Sequence, residues 1–184
     1  MDLKIVKKDI SISTYILEGE CKNTLILNNL KKRVKEIANT LSVDQTFVRG
    51  KFTGFESLKE EPTFHLFLKD ILPAIKNVYP HNWIIKDAWA NICSYKNKID
   101  KHDHAGTSAF CGILYLTEDG PGTFFDQYQL TVKEKIGKFV LFHPAVTHEV
   151  KPIDEDIERV TVAFNIDCVN DWDVNKYKTQ GHPI

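Results

Sequence analysis

The chain has 184 residues, 42% hydrophobic and 27% charged, with a formal net charge of -1 at pH 7. That length supports one sizeable core, so a single domain over 1–184 is expected. Bulk charge draws the chain neither to nucleic acid nor to an anionic membrane, and no apolar run approaches the roughly 20 residues that span a bilayer.

The opening stretch 1–9 alternates charged and apolar residues and lacks an apolar segment of signal type, so the cytoplasm is the expected compartment. Cys21, Cys93, Cys111 and Cys168 form no C-x-x-C pair. They read as reduced, mostly buried thiols rather than as a zinc site.

Two short β-like runs come first, 3–7 and 12–17. A helix is predicted over 24–41, with Asn23 or Thr24 as its cap. Leu27, Leu30, Val34, Ile37, Ala38 and Leu41 recur at three- and four-residue steps and give it an apolar stripe. Its other face carries Lys31, Lys32, Arg33, Lys35 and Glu36. A solvated helix face is the reading preferred over a nucleic-acid patch.

Residues 42–60 are polar, contain Gly50 and Gly54, and read as a loop, either a plain surface connection or a cover over a site. A second helix is predicted from Pro62 to Tyr79, with Phe64, Phe67, Leu68, Ile71, Leu72 and Ile75 as its core stripe. Pro73 is expected to kink or split it. His65 reads as an ordinary helix histidine.

From Trp83 onward the texture is β. The predicted strands are 83–85, 88–95, 109–116, 123–125, 130–132, 138–142, 149–151 and 159–166. Asp119-Gly120-Pro121-Gly122 is a strong turn signal. Many short strands with turns between them predict an antiparallel sandwich or jelly roll. The fold class is thus mainly β with flanking helices (α+β). Residues 1–82 are a helical support region, 83–167 the β core and 168–184 a tail.

The chemistry concentrates in His102-Asp103-His104, His148 and Arg159. Side chains two apart on a strand share a face, so His102 and His104 can reach one metal ion. Neutral imidazoles are good ligands for iron, and an arginine grips a carboxylate at two points.

This layout resembles the iron(II)- and 2-oxoglutarate-dependent oxygenases over about residues 83–167. The matching segments are His148-Glu149-Val150 with Arg159-Val160-Thr161-Val162, the strand Phe139-Val140-Leu141-Phe142, and Gly112-Ile113-Leu114-Tyr115-Leu116. The resemblance implies a double-stranded β-helix with N-terminal helices. It implies Fe(II) as metal, 2-oxoglutarate as co-substrate, dioxygen and an unknown prime substrate. His102 matches the family's first histidine, His148 its distal histidine, and Arg159 the arginine that pairs with the co-substrate's far carboxylate. Tyr115 matches a tyrosine that helps hold the co-substrate, and Tyr95 matches another such position. Asn91 is a further candidate for a co-substrate carboxylate.

One position departs from the family. His104 stands where the family has Asp or Glu, as in a bacterial and phage subset with His-x-His. In a phage protein the compartment would be the host's cytoplasm. A three-histidine site is the expectation, with Asp100 or Asp103 as the competing carboxylates. His143 is left outside because Pro144 restricts its backbone, and Trp89 is assigned to the core. Two other readings stay open: a cupin-type three-histidine dioxygenase without 2-oxoglutarate, and a non-enzymatic jelly-roll binding module.

Overall fold

The computed structural model describes residues 14–78 and 82–169. The run 3–7 and the tail after 169 lie outside the described residues, as do the first two residues of 12–17. The first described strand, β1, is Ile16–Glu20, later in the chain than expected.

Helix α1 spans Thr24–Thr40, and the Asn23 side chain accepts a hydrogen bond from the Ile26 amide, the N-cap predicted. Leu27, Leu30, Val34 and Ala38 form its buried stripe. Removing the Leu30 side chain beyond Cβ would cost about 2–5 kcal/mol, the usual price of a core cavity. On the outer face Lys32 pairs with Glu36, Arg33 with Glu36 and Glu61, and Lys35 with Glu158. Three of the four basic residues are thus offset by acids, as suits a solvated face. Helix α2 spans Pro62–Val78 and runs through Pro73 without being split.

The segment predicted as a loop contains two short strands, β2 (Val48–Arg49) and β3 (Lys51–Phe52). Two-residue strands leave no periodic signal in the sequence, which is why they were illegible there. The remaining strands are β4 (Asn82–Cys93), β5 (Lys98–His102), β6 (Phe110–Tyr115), β7 (Thr123–Phe125), β8 (Leu130–Val132), β9 (Lys138–Phe142), β10 (His148–Val150) and β11 (Arg159–Val169). Two predicted runs, 83–85 and 88–95, merge into the single strand β4.

These strands build two antiparallel sheets. The larger has the order β1-β9-β6-β11-β4-β3 and the smaller β2-β5-β10-β7-β8. From β4 to β11 the chain passes repeatedly between the sheets, which is a jelly roll.

Strand β11 shows why the site lies where it does. Its even-numbered residues Val160, Val162, Phe164 and Ile166 pack with the apolar stripes of α1 and α2 in one core cluster. Its odd-numbered residues Arg159, Thr161, Ala163 and Asn165 fall on the opposite face, between the sheets. There two smaller apolar clusters form, one around Phe52, Trp89 and Ile99, the other around Ile113, Tyr115 and Phe142. The polar residues of β11 line a cavity together with members of both clusters.

Candidate metal centre

His102 ends β5 and His148 begins β10, and the two are direct partners across the antiparallel ladder. His104 lies just past the end of β5 rather than on the strand. Its backbone amide donates to the Pro144 carbonyl at 2.8 Å, which holds the segment beside the site. One ligand atom from each of the three histidines lies within 4.8 Å of the others. A metal ion with bonds of about 2.0–2.1 Å to imidazole nitrogen holds two ligand atoms no more than about 4.2 Å apart, so small ring rotations bring the three onto one ion.

Hydrogen bonds prepare two of these rings for coordination. His102 Nδ1 lies 2.8 Å from the Asp100 carbonyl, and His148 Nδ1 lies 3.1 Å from the Val146 carbonyl. A carbonyl only accepts, so Nδ1 carries the proton in both rings. The Nε2 lone pair is then left for a metal, the usual role of such outer contacts.

Electrostatics keeps the cluster neutral. Burial pushes the His104 pKa down to about 4, and a positive His102 would push it the same way. Burial also lowers His102, and it holds His148 well below the ordinary histidine range, helped by His102 and His104. All three lone pairs are therefore available at neutral pH. The donor set of uncharged nitrogens fits a divalent transition metal of the iron, nickel or zinc type rather than magnesium or calcium. Neither competing carboxylate joins it. Asp100 pairs with Lys98 at 2.6 Å, and exposed Asp103 accepts from the Ala105 amide at 3.1 Å.

Aromatic rings frame the cluster. Phe47 stacks on His102 with centroids 4.6 Å apart, and Phe142 meets His148 edge-on at 4.7 Å. Trp89 lies 6.0 Å from His104, is itself covered by Phe55 at 5.0 Å, and belongs to a core cluster as expected. The segment carrying Phe47 and Phe55 thus covers the site from one side, and β2 and β3 tie it to both sheets. Gly50 makes that crossing possible. A Cβ there would lie 2.7 Å from the Ile92 carbonyl oxygen.

Arg159 lines the same cavity as the three histidines and is 1% exposed. Its Nε donates to Glu134, a buried residue that the sequence reading did not single out. Nη1 donates to Thr161 Oγ1 at 3.2 Å and Nη2 to Thr123 Oγ1 at 3.4 Å. Thr161 was readable, because a residue two after Arg159 shares its strand face. Glu134 left no signal, since Lys133-Glu134-Lys135 looks like a solvated charged turn.

Asn91 also lines the cavity, directly across the β4–β11 ladder from Thr161. Its Oδ1 is buried and has no hydrogen-bond partner among the described residues. Such an atom is costly in an apolar wall and suits a site that takes a polar ligand. Tyr115 is fully buried and donates to Thr123 Oγ1 at 2.8 Å. Burial pushes its pKa up to about 12, so it is a neutral donor. Tyr95 is not brought to the site. It is 52% exposed in the turn after β4, beside Lys96, and does not line the cavity. Its place beyond the end of the strand puts it clear of the space between the sheets.

Cys111 lines the cavity, but burial pushes its thiol up to about 12, which makes it a poor nucleophile. His143 accepts from the Ala145 amide at 3.2 Å, and His65 Nε2 donates to the Lys59 carbonyl at 2.6 Å. Both stay outside the cluster, as expected.

No family model and no curated protein matches the sequence. Solved structures do match the fold. A viral collagen prolyl hydroxylase from Paramecium Bursaria Chlorella virus-1, in complex with 2OG, superposes with a TM-score of 0.62 at 15% identity, covering 84% of this chain and 97% of the other. The non-heme alpha ketoglutarate dependent carbocyclase SnoK from nogalamycin biosynthesis gives 0.66 at 10% identity, covering 89% and 85%. HygX from Streptomyces hygroscopicus, with nickel, 2-oxoglutarate and hygromycin B bound, gives 0.62 at 13% identity, covering 84% and 82%. The chain has the jelly-roll fold of the 2-oxoglutarate-dependent oxygenases.

Proposed function

We propose that this chain is an Fe(II)- and 2-oxoglutarate-dependent dioxygenase that hydroxylates an unactivated C–H bond of an unidentified prime substrate. The observation that carries this reading is the joint placement of a three-histidine cluster and a buried arginine on one cavity. In this reading His102, His104 and His148 hold the metal. Bound there, Fe(II) supplies the site for the 2-oxo acid and for dioxygen. The uncharged ligand set leaves the ion's full 2+ charge to be offset by the co-substrate.

The other residues act on the co-substrate. Arg159 takes the far carboxylate with its planar fork, which a lysine cannot copy. Asn91 adds a polar partner on the same wall, while Tyr115, which does not itself line the cavity, supports the co-substrate through Thr123, to which its hydroxyl donates. Trp89, Phe47 and Phe142 keep water from the metal side, which strengthens each charged contact in the cavity. Residues 1–184 are read as one domain. The cytoplasm is the compartment proposed, because all four cysteines are free thiols. Among the described residues no helix is long and apolar enough to cross a membrane.

The test is an anaerobic titration of the purified protein with Fe(II) and then 2-oxoglutarate. A visible charge-transfer band that is lost in Arg159→Ala is the expected result. A second reading has its own support: an all-histidine donor set, and an Arg159 already paired with Glu134, fit a dioxygenase that uses no 2-oxo acid. Iron binding with no response to 2-oxoglutarate would establish that reading instead. Failure to bind iron would leave a binding module.

A further inference from the structure

We infer that Glu134 is a positioning residue that aims Arg159 into the cavity and thereby sets the length of the 2-oxo dicarboxylate that fits. This rests on the co-substrate reading given above. The Arg159 guanidinium is held from two directions. Its Nε faces Glu134, which does not line the cavity, while Nη1 and Nη2 reach Thr161 and Thr123, which do. The Nη1/Nη2 edge is therefore the one offered to a ligand, and the Nε side is anchored to the wall behind.

The two threonine contacts, at 3.2 and 3.4 Å, are long for hydrogen bonds. A hydroxyl rotates freely about its C–O bond and can donate as well as accept. A carboxylate entering from the cavity can thus take the Nη edge and receive hydrogen bonds from the threonines. The Glu134 contact cannot yield in the same way. Both side chains are buried, at 1% and 0% exposure, and either charge left alone would be strongly disfavoured.

The depth of the anchor is also fixed from behind. Gly120, in the Asp119–Gly122 turn, lies so close that a Cβ there would meet the Glu134 carboxylate at 2.6–2.8 Å. The order Gly120, Glu134, Arg159 and cavity therefore sets how far the fork stands from the three histidines. A dicarboxylate that reaches both must match that distance.

The experiment compares 2-oxoglutarate with its one-carbon-longer homologue, 2-oxoadipate, by calorimetric titration of anaerobic Fe(II)-loaded protein. Glu134→Asp shortens the anchor by one C–C bond, about 1.5 Å, and draws the fork back. The ratio of 2-oxoadipate to 2-oxoglutarate affinity is expected to rise by ~10-fold, a shift of about 1.4 kcal/mol. Glu134→Gln keeps the length and still accepts from Nε, so that ratio should not change, while the loss of the buried negative charge shifts the affinities of both acids together. Proportional loss of both acids in Glu134→Asp would overturn the inference and reduce Glu134 to a structural partner. If Glu134→Asp does not fold, Glu134→Gln decides alone: a ratio of the two acids within ~3-fold of wild type supports the inference, and a larger change in that ratio would mean that charge, not position, is its role. A wild-type protein that responds to neither acid overturns the co-substrate reading and this inference with it.

Discussion

His148 stands directly opposite His102 across the β5–β10 ladder, with ring centroids 4.3 Å apart. Residues that face each other on an antiparallel pair project to the same side, so this one register point creates two-thirds of the metal cluster. His104 joins from the segment that leaves β5, its ring centroid 5.2 Å from His102 and 5.4 Å from His148.

Iron stoichiometry after anaerobic reconstitution tests the ligand set. His102→Ala and His148→Ala should each lose most bound iron. His104→Ala should bind more weakly, whereas His104→Asp should retain iron, because carboxylate oxygen is an acceptable ligand. Asp100→Ala and Asp103→Ala should be silent. A silent His104→Ala together with a severe Asp variant would move the third ligand to a carboxylate.

Arg159→Lys keeps a positive charge near Glu134 but loses the fork. Affinity for 2-oxoglutarate should fall by ~10-fold or more, since a hydrogen bond to a charged group is worth roughly 1.5–3 kcal/mol. Iron affinity should barely move. Equal loss of both, in paired titrations, would make Arg159 a structural residue serving only its buried partner Glu134.

The metal-free protein should lose stability as pH falls. Each cluster histidine has a folded pKa below its unfolded value of about 6.5, so the unfolded chain binds more protons in the window between them. Stability contributed by the neutral rings is full above about 6.5 and is lost progressively as pH drops toward the His104 value of about 4. Thermal melts from pH 7.5 to 4 should show this slope, and His104→Gln should flatten part of it. An unchanged slope would place the acid sensitivity elsewhere.

Gly50→Ala should destabilise the protein by about 1–3 kcal/mol, the usual cost of forcing a methyl into a packed site. The new Cβ would strike the Ile92 carbonyl where the chain crosses from β2 to β3. The strain should also loosen Phe47 from His102, so proteolysis within 43–55 should speed up more than global unfolding does. Equal acceleration of both would show that this segment does not move independently.

The sequence by itself determined the helices, most of the strands and the identity of the cluster. Their signals are local: an apolar stripe at helical spacing over 24–41, short β-branched runs between turns, and two histidines two residues apart. Short-range pattern also placed Arg159 at the head of a strand whose alternate residues face inward. It could not supply what depends on distant segments meeting. The opposition of His148 and His102 is a register, set by strand pairing across the smaller sheet. Glu134 is indistinguishable in sequence from any charged turn residue, and only the packing of the turn at Gly120 buries it against Arg159. Phe47 lies in a stretch with no periodicity, and β2 and β3 exist because two sheet edges accept them. Tyr95, plausible by its neighbours in the chain, was excluded by the strand ending two residues earlier. Local periodicity fixes which face a residue takes, and tertiary packing decides which faces meet.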